Sequence, residues 1–271
     1  LKTNTMSTEE IMSMRPVNWF FYLFWNNGYY VEFMKLMQLF EINPIDFIIE
    51  LMKNLDNSKD RIGELYKDFL NESEEEWYDS PEKLFEVNSK IENGKLKAEN
   101  FSKLNAKYTS RVIFEHKFEM AKKLLEVSQI VLVKKSGEDF WLKKAEQIKD
   151  VINYCSQKSI DIGELKNKNI KSKKHKFIFD YPKWLKNGNG ETDIQKFNGG
   201  IDLNFFLSKE KENRISDMME IHNYQDIKEV HMKLIEVLHT EDLFYDVGYD
   251  NGQVKQEKLK DKAITSWSLE S

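Results

Sequence analysis

Seven bulky side chains follow one another without a break in Trp19-Phe20-Phe21-Tyr22-Leu23-Phe24-Trp25. A helix turns about 100° per residue, so a row of seven cannot face a single core. Such a segment needs apolar neighbours around most of its circumference. That favours a central helix buried on all sides over a ligand box, and a docking face toward a further domain, marked by Trp19 and Trp25, is compatible with it. A membrane span is not: residues 17–25 include Asn18 and fall far short of the roughly 20 apolar residues a spanning helix requires.

The rest of the chain supplies neighbours of the same kind. Glycine (11) and proline (4) are scarce among 271 residues, while Lys, Glu, Leu, Ile and Met abound, a balance that favours long helices. Ser7 or Thr8 with Glu9 and Glu10 predicts an N-cap and acidic first turn, and Met14, Val17, Phe20, Phe21 and Phe24 recur at helical spacing. Asn26-Asn27-Gly28 predicts the stop. A second helix follows on Val31, Met34, Leu36, Met37 and Phe40, a third opens at Asn43-Pro44, and a fourth covers residues 60–69. Residues 72–86 form an acidic, solvated stretch that includes a capped helix start at Ser80-Pro81-Glu82. Apolar periodicity then runs through residues 95–133, and a further helix spans 138–157.

Residues 158–175 are lysine-rich and polar, the composition of a linker. Beyond them, 176–181 and 201–207 alternate as strands, with turns at Asn187-Gly188-Asn189-Gly190 and Asn198-Gly199-Gly200. Helices at 209–222 and 225–239 and a polar tail at 250–271 complete the pattern. The expected architecture is mainly α: a multi-helix domain over residues 1–157, the linker 158–175, and a small α+β C-terminal unit over 176–249.

Little in this sequence carries chemistry of its own. Cys155 is the single cysteine, which excludes an intramolecular disulfide and fits a reducing, cytoplasmic setting; beside Ile152 and Tyr154 it reads as a small buried apolar side chain. His116, His175, His222, His231 and His239 show no metal-ligand spacing, so no metal is assigned. A net charge of −5 and only four arginines argue against nucleic acid as a partner. Asp180, Tyr181 and Trp184 sit at a predicted strand-to-helix junction, where a polar group beside aromatics lines a cleft or caps and packs the helix start.

Several stretches resemble one family. The opening Met6-Ser7-Thr8-Glu9-Glu10-Ile11-Met12-Ser13-Met14-Arg15, the aromatic run and Trp25-Asn26-Asn27-Gly28 are similar to the segment that follows the catalytic barrel in cobalamin (B12)-binding-domain radical SAM proteins. So are Ile42-Asn43-Pro44-Ile45-Asp46-Phe47, Glu76-Trp77-Tyr78-Asp79-Ser80-Pro81-Glu82 and Lys103-Leu104-Asn105-Ala106-Lys107-Tyr108. Phe179-Asp180-Tyr181-Pro182-Lys183-Trp184 and Asp242-Leu243-Phe244-Tyr245-Asp246-Val247 complete the resemblance, which runs over most of residues 6–249.

The resemblance implies a parent iron–sulfur oxidoreductase in which a cobalamin-binding domain precedes a radical SAM barrel. That barrel holds a 4Fe-4S cluster on a Cys-x-x-x-Cys-x-x-Cys loop and cleaves S-adenosylmethionine reductively. Neither that loop nor an Asp-x-His-x-x-Gly cobalt-ligand motif is in this sequence, so no catalytic or cofactor-binding residue is carried over. Leu1 fits a chain cut just after the barrel. The expected function is therefore an accessory C-terminal region, catalytically silent alone, whose partners are the N-terminal domains of the same polypeptide. A stand-alone helical protein-interaction module is the alternative. An independent enzyme would need a site assembled from His116, His222, His231 or His239 with carboxylates.

Overall fold

A computed structural model of the chain describes residues 7–75, 81–93, 103–160, 172–188, 190, 192–194, 196–221, 227–238 and 240–249. Helix α1 (Thr8–Phe21) starts with a capping box: the Ser7 hydroxyl accepts from the Glu10 backbone, and the Glu10 carboxylate accepts from the Ser7 N–H at 2.7 Å. The chain then widens into a π-helical turn, Tyr22–Asn26, which Asn27 closes through its backbone and side-chain N–H groups on the Tyr22 carbonyl. Trp19, Phe20, Leu23 and Phe24 are fully buried, while Phe21, Tyr22 and Trp25 are half-buried. The aromatic run is thus surrounded on most sides, and its first expected apolar residue, Met14, stands in solvent.

Trp19 is the hub of this packing. Its ring stacks on Phe20 and Phe69 at centroid distances of 4.8 and 4.6 Å and meets Tyr108 edge-on, while its indole N–H donates to Thr109 Oγ1. Helices α2 (Val31–Leu39), α3 (Pro44–Asp56) and α4 (Arg61–Glu75) follow, the third opened as expected by Asn43, whose side chain accepts from the Ile45 N–H. Helix α4 outruns its expected end because Ser73 is fully buried and Glu72 accepts from the Tyr108 hydroxyl and Lys107. It begins at Asp60, which accepts from the Gly63 N–H; a Cβ on Gly63 would lie 2.8 Å from the Ser58 carbonyl, so the turn needs glycine.

Helix α5 covers Pro81–Glu92, from the proline expected to open it; the residues just before it, 76–80, lie outside the described set. The single apolar period expected over 95–133 divides at His116 into α6 (Leu104–Glu115) and α7 (Lys117–Ser136), leaving Phe118 exposed. Gly137, at φ +85°, turns the chain into α8 (Glu138–Lys158). No described helix is long and apolar enough to cross a membrane.

Three antiparallel strands in the order β1-β2-β3 form the sheet: β1 (Lys173–Phe179), β2 (Lys196–Phe206) and β3 (Asp246–Tyr249). Helix α9 (Tyr181–Gly188) separates the first two, and α10 (Lys209–Ile221), α11 (Ile227–Val237) and a 3-10 turn (Thr240–Leu243) precede the third. Eleven α-helices and this small sheet make the described chain mainly α with an α+β C-terminal unit.

Three details correct the sequence reading. Lys173, Lys174 and His175 belong to β1 and Lys158 to α8, so the linker shrinks at both ends; residues 161–171 lie outside the described set, as do 250–271. Asn198-Gly199-Gly200 is not a turn between elements but an irregularity inside β2, where the register shifts between Phe177 and Phe179. Gly200, at φ +76°, passes so close to the Phe177 carbonyl that a Cβ would sit 2.9 Å from it. Third, β3 was not anticipated.

The sheet is seated on α8. Asp150 accepts hydrogen bonds from the backbone N–H groups of Ile178 and Phe179 and from the Tyr181 hydroxyl, at 3.0, 3.3 and 3.0 Å. Burial pushes its pKa above the usual carboxylate range, and those three hydrogen bonds offset this only in part. Phe177, Leu203 and Phe205 turn inward; Phe177 and Phe205 pack near Tyr154 of α8, and one continuous buried cluster joins helices and sheet.

Two outcomes follow. Trp19→Ala should cost about 3–5 kcal/mol in urea unfolding and Trp25→Ala about 1–2, because only the first side chain is fully enclosed. The second concerns Asp60: partial burial alone would raise its pKa, but hydrogen bonds from Lys123, Gly63 and Ser58 outweigh it and hold the value at about 2. Its stabilisation is complete above the unfolded-state pKa of about 3.9 and is lost as pH falls through about 2. With the side chain 47% exposed, screening reduces this to about 1 kcal/mol. Urea midpoints from pH 5 to 2 should show a smaller acid loss for Asp60→Asn than for the parent.

Candidate functional site

Where β1 gives way to α9, Asp180 takes the N-cap position: its Oδ1 accepts from the Lys183 backbone N–H at 3.0 Å. The same oxygen accepts from the Tyr249 hydroxyl of β3 at 2.7 Å, and burial, together with that carboxylate, raises the phenol's pKa. Asp180 is only 7% exposed. Trp184, one turn into α9, is equally enclosed, and its indole N–H donates to the Thr192 carbonyl at 2.6 Å.

Asp180 and Trp184 share one cavity of about 140 Å³, lined also by Lys183, Asn187, Thr192, Asp193, Ile194 and Phe197. Tyr181 lies behind it. Fully buried, it packs on Tyr154 at 4.8 Å and donates to Asp150, and burial with that neighbouring carboxylate drives its pKa far above the usual phenol range. Of the three junction residues, two line the cavity and the third is core.

Trp19 and Trp25 line neither this cavity nor a second one of about 290 Å³, formed by Arg15, Tyr22 and the start of α6 from Lys103 to Ala106. Trp19 is core, and Trp25 stacks on Phe21 at 4.9 Å.

The described histidines stand apart. His116 lies between Glu115 and Glu119 at the α6–α7 junction; His175 is in β1, where burial and Lys173 lower its pKa. His222 and His239 fall outside the described residues, as does the side chain of His231. Among the described residues no three His, Cys, Asp or Glu side chains gather where they could hold a metal ion.

One polar cluster escaped sequence reading. Lys158, at the end of α8, places its ammonium 2.6 Å from Glu32 Oε1 and 3.1 Å from the Gly28 carbonyl, with the Phe244 ring 4.4 Å away. Cys155, one turn earlier, donates its thiol to Glu32 Oε2 at 3.4 Å. Burial, with the adjacent Glu32 carboxylate, raises the thiol's pKa well above its ordinary value, which makes it a protonated, inert side chain. The available signal was weak: Glu32 precedes Leu36 by one turn and so shares its buried face, whereas Lys158 opens a run whose composition says linker.

Lys158→Met should destabilise the fold by about 3–5 kcal/mol, since it leaves the Glu32 carboxylate buried and unpaired. The double variant Glu32→Gln, Lys158→Met should recover part of that loss, which paired urea denaturation curves would read directly.

No family model matches this chain, and neither a curated protein nor a solved structure does.

Proposed function

We propose that this chain is the C-terminal accessory region of a cobalamin-binding radical SAM iron–sulfur oxidoreductase. It would cover the open end of the barrel, keep water from the radicals and shape substrate access. The observation that carries this reading is the resemblance in local wording, and it gains support from how the segments that bear it meet in space. Trp19 of the aromatic run packs against Tyr108 at 5.7 Å. Tyr29, next to the Trp25–Gly28 stretch, meets Phe244 at 5.1 Å. Widely separated stretches that interlock in one core are what a domain held to a common shape would retain.

The cofactors in this reading belong to the preceding domains of the same polypeptide. A 4Fe-4S cluster needs three or four cysteine thiolates, and the sequence offers one cysteine, a buried thiol kept protonated. The residues therefore do not fit the cluster, and no step of its chemistry is routed through them. A reducing, cytoplasmic setting accompanies the reading, in keeping with that single cysteine.

A second reading, a helical protein-interaction module, draws on large apolar side chains that stand in solvent, foremost Phe85 and Ile221 at 72% exposure each.

The two part company upstream of Leu1. The coding sequence in frame before it should contain Cys-x-x-x-Cys-x-x-Cys. Given a one-electron reductant, the reconstituted full-length protein should then cleave S-adenosylmethionine to methionine and 5′-deoxyadenosine, and deleting the present 271 residues should leave that cleavage intact while raising the share not coupled to turnover of a substrate. An open reading frame without that motif would sink the proposal and leave the interaction module.

A further inference from the structure

We propose that the cavity between α9 and β2 is a binding site for a small alkylammonium ion, held by Asp180 against the ring of Trp184. This proposal lies within the chain itself and does not depend on a barrel preceding it.

Asp180 carries the argument. Both hydrogen bonds it accepts, from the Lys183 N–H and the Tyr249 hydroxyl, fall on Oδ1. Among the described residues Oδ2 accepts none, and Asp180, a residue only 7% exposed, lines the cavity. That oxygen is therefore open to a donor that enters the cavity. Trp184 cannot supply one, because its indole N–H is committed to the Thr192 carbonyl. What the ring offers is its π system, which attracts cations, and Phe197 extends that aromatic wall.

Charge and size narrow the ligand. Asp193 stands at the rim as a second carboxylate, while Lys183 is an exposed side chain whose long stem lets its head remain in water. With Asp193 and Lys183 both exposed and opposite in sign, the enclosed Asp180 leaves the cavity net negative, which disfavours anions. The volume, about 140 Å³, is close to that of an engineered cavity of about 150 Å³ that holds benzene, room enough for a small alkylammonium ion.

The test uses the whole 271-residue chain and n-propylammonium chloride, at ionic strength held constant with sodium chloride. The readout is the indole N–H resonance of Trp184, identified by its absence in Trp184→Phe. Propylammonium should shift it saturably, whereas n-propanol, of equal size and no charge, and propionate, of opposite charge, should not. Asp180→Asn keeps a good N-cap for α9, so the fold should persist, yet affinity should fall at least about tenfold with loss of the charge-assisted hydrogen bond. Asp193→Asn, at the exposed rim, should weaken binding about twofold to threefold. The proposal is overturned if propylammonium gives no saturable shift, if n-propanol binds as tightly, or if Asp180→Asn leaves affinity unchanged.

Discussion

The ammonium group of Lys158 pins the two halves of this molecule together. Taking it and the Glu32 carboxylate out of water costs several kcal/mol per ion, and only good geometry with additional partners offsets that. Here the partners are present: the carboxylate at 2.6 Å and the Gly28 carbonyl from the stretch that opens α2, and the Phe244 ring from the segment before β3. The backbone repeats the connection. The Lys158 carbonyl accepts from the Tyr245 N–H, the Ile160 N–H donates to the Leu243 carbonyl, and Ser159 bridges Phe244. The chain therefore enters its C-terminal unit from a fixed point, with α2 on one side and the segment leading to β3 on the other.

Around that pin the interior is aromatic. Trp19, Phe69 and Tyr108 pack among the helices, and Tyr154, Phe177, Tyr181 and Phe205 pack between α8 and the sheet. Rings with a polar end serve both purposes at once, since they bury a large apolar body while the hydroxyl or indole N–H finds a partner. Tyr108 reaches Glu72, Tyr181 reaches Asp150, and Trp19 reaches Thr109. Each such bond fixes which way a large ring points, and so the relative placement of the helices it joins.

Much of the helical half was legible in the sequence because helical periodicity is local. The cap at Ser7, the start at Asn43-Pro44 and the span of α8 can each be read from a few neighbouring residues. The break at His116 was not legible, since the apolar pattern continues across it. Neither was β3, whose four residues become a strand only by pairing with β2, some forty positions away in sequence. The cavity was half legible. Asp180 and Trp184 declare themselves at a strand-to-helix junction, but Tyr249, 69 residues from Asp180, reaches it only through the folded sheet. Glu32 and Lys158 were the hardest to foresee, because a buried charge looks like a surface charge until its partner is known.

Asp150 gives the sheet a direction. Its carboxylate accepts from two N–H groups at the end of β1, and Lys173, Lys174 and Lys176 are distributed along the same strand. An edge strand that carries lysines in this way resists pairing with a foreign strand. Among the described residues β3 ends the sheet on the far side. Held through Asp150 at the end of β1, the sheet cannot slide along α8 without breaking three hydrogen bonds at once, so the placement of the whole C-terminal unit is tied to one side chain.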